Sequence, residues 1–198
     1  MPDRRASALL VIDVQNDFCA GGTLEVRGGD AVVPPLNRMM EWAARQGDPI
    51  YATRDWHPPN TRHFKANGGN WPVHCVQNTG GARFHPDLKL PAEAAVVTTG
   101  DTEDSDGYSA FEGRIPNGSA LLDVLRERGV QHLYVGGLAT DYCVLQSVLD
   151  ARRAGFAVTL LTDAVRGVNL RPDDADKALE QMRDAGAEFA TTEEITGA

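Results

Sequence analysis

Metal-binding side chains are concentrated in one stretch of the sequence, RDWHPPNTRHF at residues 54–64. It contains Asp55, His57 and His63, and His74 follows on the same long segment. Residues two apart in an extended chain point to the same side, so Asp55 and His57 can face one ion. One carboxylate with two or three imidazoles suits Zn, Fe or Mn, and positions left to water are typical of catalytic sites. The spacing matches no standard metal motif, and a solvated, proline-broken loop explains these residues equally well.

A cysteine is the second candidate for chemistry. Cys143 lies in GGLATDYCVLQSVL, residues 136–149, where Thr140 or Asp141 is predicted to cap the following helix. In the first turn of a helix, free N–H groups and the helix dipole favour a thiolate and lower its pKa. The same N–H groups could hold an oxyanion during acyl transfer. Most free cysteines are instead small buried hydrophobic residues, which remains the alternative for Cys143.

A carboxylate ends the first apolar stretch, LLVIDVQNDF, at Asp13. Burial of an acid there costs free energy unless the acid has a partner or a task. Beside the thiol of Cys143, Asp13 could act as a general base, whereas the alternative is that it caps a turn. A structural role is expected for five other residues of these types: Asp17, Cys19, Cys75, His85 and His132.

Short apolar runs alternate with amphipathic stretches along the chain. Strands are predicted at 8–13, 49–55, 94–99, 132–138, 156–163 and 187–192. Helices are predicted at about 30–46, 120–129, 141–155 and 172–186, with glycine C-caps at Gly129, Gly155 and Gly186. This pattern predicts a single α/β domain over residues 1–198, in three layers, with a mostly parallel sheet covered by helices on both faces.

The candidate residues follow successive strands. Asp13, Asp55 and Thr99 end the first three predicted strands, and GGLATDYC follows the fourth. Ligands of open parallel sheets bind outside the carboxyl ends of the strands, so we expect one site at this edge. The long segment between Asp55 and Glu93 has no clear element, which is typical of a functional or disordered loop.

Composition excludes several classes of partner. The net charge of −9 repels nucleic acid and anionic lipid, so neither is an expected partner. Three cysteines are too few and too odd in number for a disulfide framework, and no segment reaches transmembrane length. The N-terminal apolar run meets an acid after a few residues, unlike a secretory signal. We therefore expect a protein of the reducing cytoplasm, without membrane contact.

Five segments resemble the nicotinamidase/pyrazinamidase family of isochorismatase-like cysteine hydrolases. They are VIDVQNDFCAGGTLEV, TRDWHPPNTRHF, WPVHCVQNTGGARFHP, GYSAFEG and GGLATDYCV, in the order of the family and across nearly the whole chain. DVQNDF and WPVHC together are highly specific. The family fold is a parallel sheet with helices on both faces, which agrees with the predicted elements.

The resemblance implies an amidase that releases ammonia from nicotinamide or similar pyridine carboxamides through a thioester, a reaction of NAD salvage. Cys143 corresponds to the nucleophile and Asp13 to the general base. The family has a cis peptide before the residue that matches Ala139, and the N–H groups of Ala139 and Cys143 are implied to hold the oxyanion. Related proteins often assemble, so a homo-oligomer is also expected.

The resemblance also implies one divalent metal ion, with Zn as the first choice and Fe or Mn as alternatives, which binds the pyridine nitrogen of the substrate. The implied ligands are Asp55, His57 and His74, with His63 as a fourth that some members have. Aromatic residues correspond to walls of the flat substrate pocket, although core or loop packing would also account for them: Phe18, Trp71, Tyr108 and Tyr142.

One position departs from the family pattern. The family has a lysine directly before the glycine that ends the third strand, and this chain has Thr99 before Gly100. The lysine would keep Asp13 ionised and favour the thiolate, and its loss should cost roughly 10²–10⁴ in rate. The three lysines of the chain lie elsewhere in the sequence, at Lys65, Lys89 and Lys177, and a folded loop that brings Lys89 or Lys65 to this position stays an open alternative.

Three origins of Thr99 stay open: an engineered Lys→Thr change, a slow natural enzyme with another cation, and a ligand-binding relative without catalysis. Other isochorismatase-like hydrolases, such as isochorismatases and carbamoyl or ureido amidases, generally lack the set of Asp55, His57 and His74. A non-catalytic binder of pyridine carboxamides is favoured only by Thr99.

Overall fold

Six parallel strands form the centre of the protein, whose computed structural model describes residues 6–197. The spatial order of the strands is β3-β2-β1-β4-β5-β6. Their bounds are β1 Ser7–Ile12, β2 Ile50–Asp55, β3 Ala95–Thr99, β4 His132–Leu138, β5 Ala157–Arg166 and β6 Glu188–Ala190. The order reverses between β1 and β4, and ligands of such sheets bind at this switch point, outside the carboxyl ends of the strands.

Helices cover both faces of the sheet, which confirms the predicted three-layer α/β class. They are α1 Val33–Gln46, α2 Leu121–Glu127, α3 Leu145–Arg153, α4 Asp174–Asp184 and α5 Thr192–Thr196. Alternate residues of β1 belong to two separate cores. Leu10 and Ile12 pack with α2, α3 and α4, whereas Leu9 and Val11 pack with α1. Among the described residues, none of the helices is both long and apolar enough to cross a bilayer.

The end of the chain differs from the prediction of a strand over 187–192. The strand stops at Ala190, and α5 begins two residues later. The side chain of Thr191 accepts the N–H of Glu194, and the carboxylate of Glu194 accepts the N–H of Thr191. This capping box was readable as T-x-x-E in the sequence, and it starts a helix where residue type alone favours a strand.

A glycine in β4 allows the two central strands, β1 and β4, to lie close together. Gly137 of β4 pairs with Ile12 and has a φ of 127°. A Cβ atom at this position would lie 2.1 Å from the carbonyl oxygen of Ile12, which is the residue before Asp13. The bare backbone of Gly137 therefore allows the strand pairing that positions Asp13.

Gly137→Ala should destabilise the protein by about 2–4 kcal/mol, because a side chain there combines a positive φ with a backbone clash. Urea denaturation of the metal-free protein measures this free energy of unfolding. Gly80→Ala is the matched control, since a Cβ at the exposed Gly80 has no described atom within 4 Å. Equal stabilities of the two variants would contradict this account of the central strands.

Candidate active site

The switch point brings together the acids and the thiol that the sequence singled out. Asp13 follows β1, Asp55 ends β2, and Cys143 lies in the turn after β4. One carboxylate oxygen of each acid and the Sγ of Cys143 lie within 4.8 Å of one another, and all three residues are buried. The edge predicted from the sequence is therefore the place where these groups meet.

Asp13 is held by a residue of the neighbouring strand rather than by a local turn. Its N–H donates to Oγ1 of Thr53 at 3.0 Å, and the Thr53 hydroxyl donates to its Oδ1 at 2.5 Å. The thiol of Cys143 also hydrogen-bonds to this carboxylate. Burial, and then repulsion from Asp55, raise the pKa of Asp13 to about 8. A carboxyl with this pKa can both accept and return a proton near neutral pH.

The prediction that the helix start lowers the pKa of Cys143 is wrong for this structure. Burial, and then the carboxylates of Asp13 and Asp55, raise the pKa of the thiol well above its ordinary value. The predicted caps do not cap the helix either, because the N-cap is Ala139 and Asp141 accepts N–H groups from a distant loop, at Val168 and Asn169. The peptide bond before Ala139 is cis.

Three histidines converge beside this group. One ring nitrogen from each of His57, His63 and His74 lies within 4.8 Å of the other two, and all three residues are buried. Oδ2 of Asp55 lies 3.4 Å from Nε2 of His57 and 3.9 Å from Nε2 of His74. Burial lowers the pKa of each imidazole, to about 4 for His74, so the rings are neutral at pH 7.

The outward nitrogen of each ring has an acceptor. Nδ1 of His57 lies 3.1 Å from the carbonyl oxygen of Gly100, and Nδ1 of His74 lies 2.8 Å from that of Pro72. Because a carbonyl only accepts, both Nδ1 atoms carry the proton and both Nε2 atoms present a lone pair. Nε2 of His57 is buried and has no hydrogen-bond partner among the described residues. This donor set fits a divalent metal ion.

A second cluster contains similar residue types, but its histidine carries the proton on the other ring nitrogen. Cys19, Asp30 and His85 also bring donor atoms within 4.8 Å of one another. The N–H of Asp87 donates to Nδ1 of His85, so Nε2 carries the proton and donates to Asp30 at 3.1 Å. This arrangement fits the expected structural role of His85, although no local pattern indicated Asp30 as its partner. Outside this cluster, His132 pairs with Thr159 at 2.8 Å.

Aromatic rings surround the histidines. The indole N–H of Trp71 donates to the Tyr108 hydroxyl at 2.7 Å, and the Trp71 ring meets that of Tyr142 edge-on at 4.8 Å. Phe18 lies 5.5 Å from the ring of His74. A cavity of about 430 Å³ opens beside Trp71 and Tyr108 and reaches His63. All four predicted wall residues are therefore near the candidate metal site, and Tyr142 is partly exposed.

Thr99 is the last residue of β3, directly before Gly100, where the sequence resemblance predicts the position of the family lysine. It pairs with Asp55 across β2 and β3 and is 3% exposed. Its hydroxyl has two acceptors within reach, the carbonyl oxygen of Arg54 at 3.1 Å and Oδ1 of Asp55 at 3.2 Å. The ionisable neighbours that act on Asp13 and Asp55 are acids and histidines. The three lysines are all exposed, which removes the possibility that one folds back into the buried site: Lys65, Lys89 and Lys177.

The isochorismatase domain family matches residues 7–194, and the chain belongs to this family. The nicotinamidase of Escherichia coli (strain K12) is 44% identical, with 96% of each chain covered. The nicotinamidase/pyrazinamidase of Mycobacterium tuberculosis is 43% identical, over 92% of this chain and 97% of the relative. Within the family, the chain therefore belongs to the nicotinamidase/pyrazinamidase group of amidohydrolases.

A solved structure agrees with this placement. The pyrazinamidase of Pyrococcus horikoshii in complex with zinc superposes with a TM-score of 0.86 at 42% identity. The match covers 94% of this chain and 99% of that protein. The fold and the family expected from the five sequence segments are thereby confirmed.

Proposed function

We propose that this protein is a metal-dependent cysteine amidohydrolase that converts nicotinamide, and similar carboxamides such as pyrazinamide, to the acid and ammonia. The observation that carries the proposal is the meeting of the Asp13–Cys143 pair with three inward-facing imidazoles at one edge of the sheet. The relatives are named nicotinamidase and nicotinamidase/pyrazinamidase, which supports nicotinamide and pyrazinamide as substrates. Three free cysteines suit a reducing compartment, and we propose the cytoplasm.

The metal would be held by Asp55, His57, His63 and His74, with zinc as the first choice and iron or manganese as alternatives. Zinc is supported by the pyrazinamidase solved with that metal and by the mixed imidazole and carboxylate donors. At this position a bound ion would supply a Lewis acid for the lone pair of the substrate's ring nitrogen. Phe18 and Trp71, with Tyr108 and Tyr142, would hold the flat ring in place by stacking and edge contacts.

The reaction begins with a proton transfer from the Cys143 thiol to Asp13. The sulfur then attacks the carboxamide carbon, and the N–H groups of Ala139 and Cys143 hold the oxyanion. As the C–N bond breaks, Asp13 gives its proton to the leaving nitrogen, which departs as ammonia and leaves a thioester. Asp13 next takes a proton from water, the hydroxyl attacks the thioester, and the acid leaves as Cys143 recovers its proton.

We expect Thr99 to make ammonia release by this enzyme slow. It offers Asp55 a hydroxyl but adds no positive charge to a site that contains two carboxylates and a thiol. Burial, and then both acids, raise the pKa of the Cys143 thiol, and Thr99 supplies no charge that would offset them. The same observation favours the second candidate function, a binder of pyridine carboxamides that does not turn them over.

His57→Ala should remove the bound metal and the release of ammonia from nicotinamide, because Nε2 of His57 is a buried lone pair with no hydrogen-bond partner among the described residues. Elemental analysis and an ammonia assay on the same preparations measure both effects. His85→Ala is the control, since the Nε2 atom of that ring donates to Asp30. Full metal content in the His57 variant would show that the assigned site is wrong. Tight binding of nicotinamide without ammonia from the unaltered protein would favour the binder.

A further inference from the structure

A loop after β3 contacts two of the proposed metal ligands from outside. This loop, residues 100–107, provides the carbonyl of Gly100 to Nδ1 of His57 and the carboxylate of Asp106 to Nδ1 of His63. The Asp106 contact measures 2.8 Å. The two imidazole rings are stacked, with their centroids 4.6 Å apart and an interplanar angle of 20°. One short loop therefore sets the orientation of two neighbouring rings.

The middle of the loop is tied to the segment that bears the ligands. The carbonyl of Glu103 accepts the N–H of Arg62 at 2.9 Å and the hydroxyl of Thr61 at 3.2 Å. The Glu103 carboxylate accepts the side-chain amide of Asn60 at 2.5 Å. Because these three partners come just before His63, the loop and the ligand segment are held in one arrangement.

The two ends of the loop also touch. Gly107 has a φ of 72°, and a Cβ atom there would lie 2.5 Å from the backbone nitrogen of Gly100. Only glycine permits this approach. Asp106 is thereby carried back over the site, next to the residue whose carbonyl holds His57.

We propose that Asp106 is a positioning residue that makes His63 a metal ligand and so sets the affinity of the site, an inference that rests on the metal-dependent function proposed above. The outer acceptors of His57 and His74 are backbone carbonyls, and that of His63 is a side chain. A substitution at Asp106 therefore removes the outer acceptor of His63, whereas no substitution removes a backbone carbonyl.

The chemistry of a carboxylate–imidazole pair supports this role. Asp106 has 62% side-chain exposure and stays hydrated, whereas the His63 side chain is 3% exposed. A hydrogen bond from Nδ1 to a carboxylate fixes the proton there and makes Nε2 a stronger donor. Without this acceptor, the neutral ring can carry its proton on Nε2, where it cannot bind the ion. The loss of such an outer contact usually weakens metal binding by about 10–100-fold.

Competition with a chromophoric chelator for Zn²⁺, on protein first stripped of metal, tests this role. Asp106→Ala should weaken zinc binding by about 10–100-fold. Asp106→Asn keeps an acceptor oxygen but loses the charge, so its loss should be smaller. Asp104→Asn is the matched control, because it removes one charge from the same loop at an exposed ion pair with Arg62. Its zinc affinity should equal that of the unaltered protein.

A double-mutant cycle separates positioning from bracing of the loop. In a His63→Ala background, the additional Asp106→Ala change should have no further effect on zinc affinity, since the ring that Asp106 orients is gone. An equal loss in both backgrounds, an unchanged affinity of Asp106→Ala, or an equal loss in Asp104→Asn would each overturn the inference. The proposed metal site stands in all three cases if His57→Ala still loses the metal, and it fails if that variant retains it.

Discussion

Replacing Cys143 by alanine should lower ammonia release from nicotinamide by on the order of 10⁵–10⁶-fold, while metal content stays at the level of the unaltered protein. The sulfur is the atom that forms the thioester, and removal of a nucleophile that works with its base leaves only binding and oxyanion stabilisation. The donor atoms of the three histidines remain in place, because Cys143 lies outside that cluster.

Trapping with hydroxylamine identifies the intermediate that this prediction requires. A thioester on Cys143 reacts with hydroxylamine to give a hydroxamate, so this product should form with the unaltered protein and be missing with the variant. Cys19→Ala is the control, because Cys19 is another buried free cysteine and its sulfur lies in the separate cluster with Asp30 and His85. Ammonia release at an undiminished rate from Cys143→Ala would rule out the thioester route.

The edge of the sheet where the site lies was predictable because it depends on chain order and on apolar runs alone. Asp13 and Asp55 come at the ends of runs that are almost fully buried, and Thr99 ends the partly buried edge strand β3. Parallel strands bring such ends to one side of the sheet. The family motifs added the particular roles of the residues. These roles remain predictions, since position alone does not establish chemistry.

The contacts that orient the site residues were not predictable in the same way. Thr53 holds Asp13 across 40 positions of sequence, and Asp106 holds His63 across 43. Such contacts depend on the register of two strands and on the path of a loop, neither of which leaves a local pattern. Thr53 had one readable sign, since it lies two residues before Asp55 on the same side of β2.

The error about the thiol of Cys143 has the same physical origin. A helix start lowers the pKa of a cysteine when its field is the main one acting on the sulfur. In the folded chain, burial is the main cause that raises the pKa of the thiol, and two carboxylates from other strands raise it further. Reasoning from the local sequence included the dipole and omitted the long-range charges, which act in the opposite direction.

Thr99→Lys should raise the rate of ammonia release by about 10²–10⁴-fold. Thr99 already contacts Asp55, so an ammonium carried from this position enters the group of Asp13, Asp55 and Cys143. A positive charge there lowers the pKa of Asp13 from about 8 and favours the thiolate. More of the base is then ionised at neutral pH, and the rise of the rate with pH should move to lower pH.

Thr99→Met separates charge from size, because methionine extends from the same buried position without an ammonium. It should give no gain in rate, and the melting temperatures of both variants show whether the buried site tolerates the longer side chain. Equal and substantial rates of the unaltered protein and the lysine variant would mean that another group performs the role of the lysine. Activity in neither, with nicotinamide still bound, would make the protein a binder that has lost catalysis. A gain in rate confined to the lysine variant would establish that the site lacks one positive charge near Asp13 and Cys143.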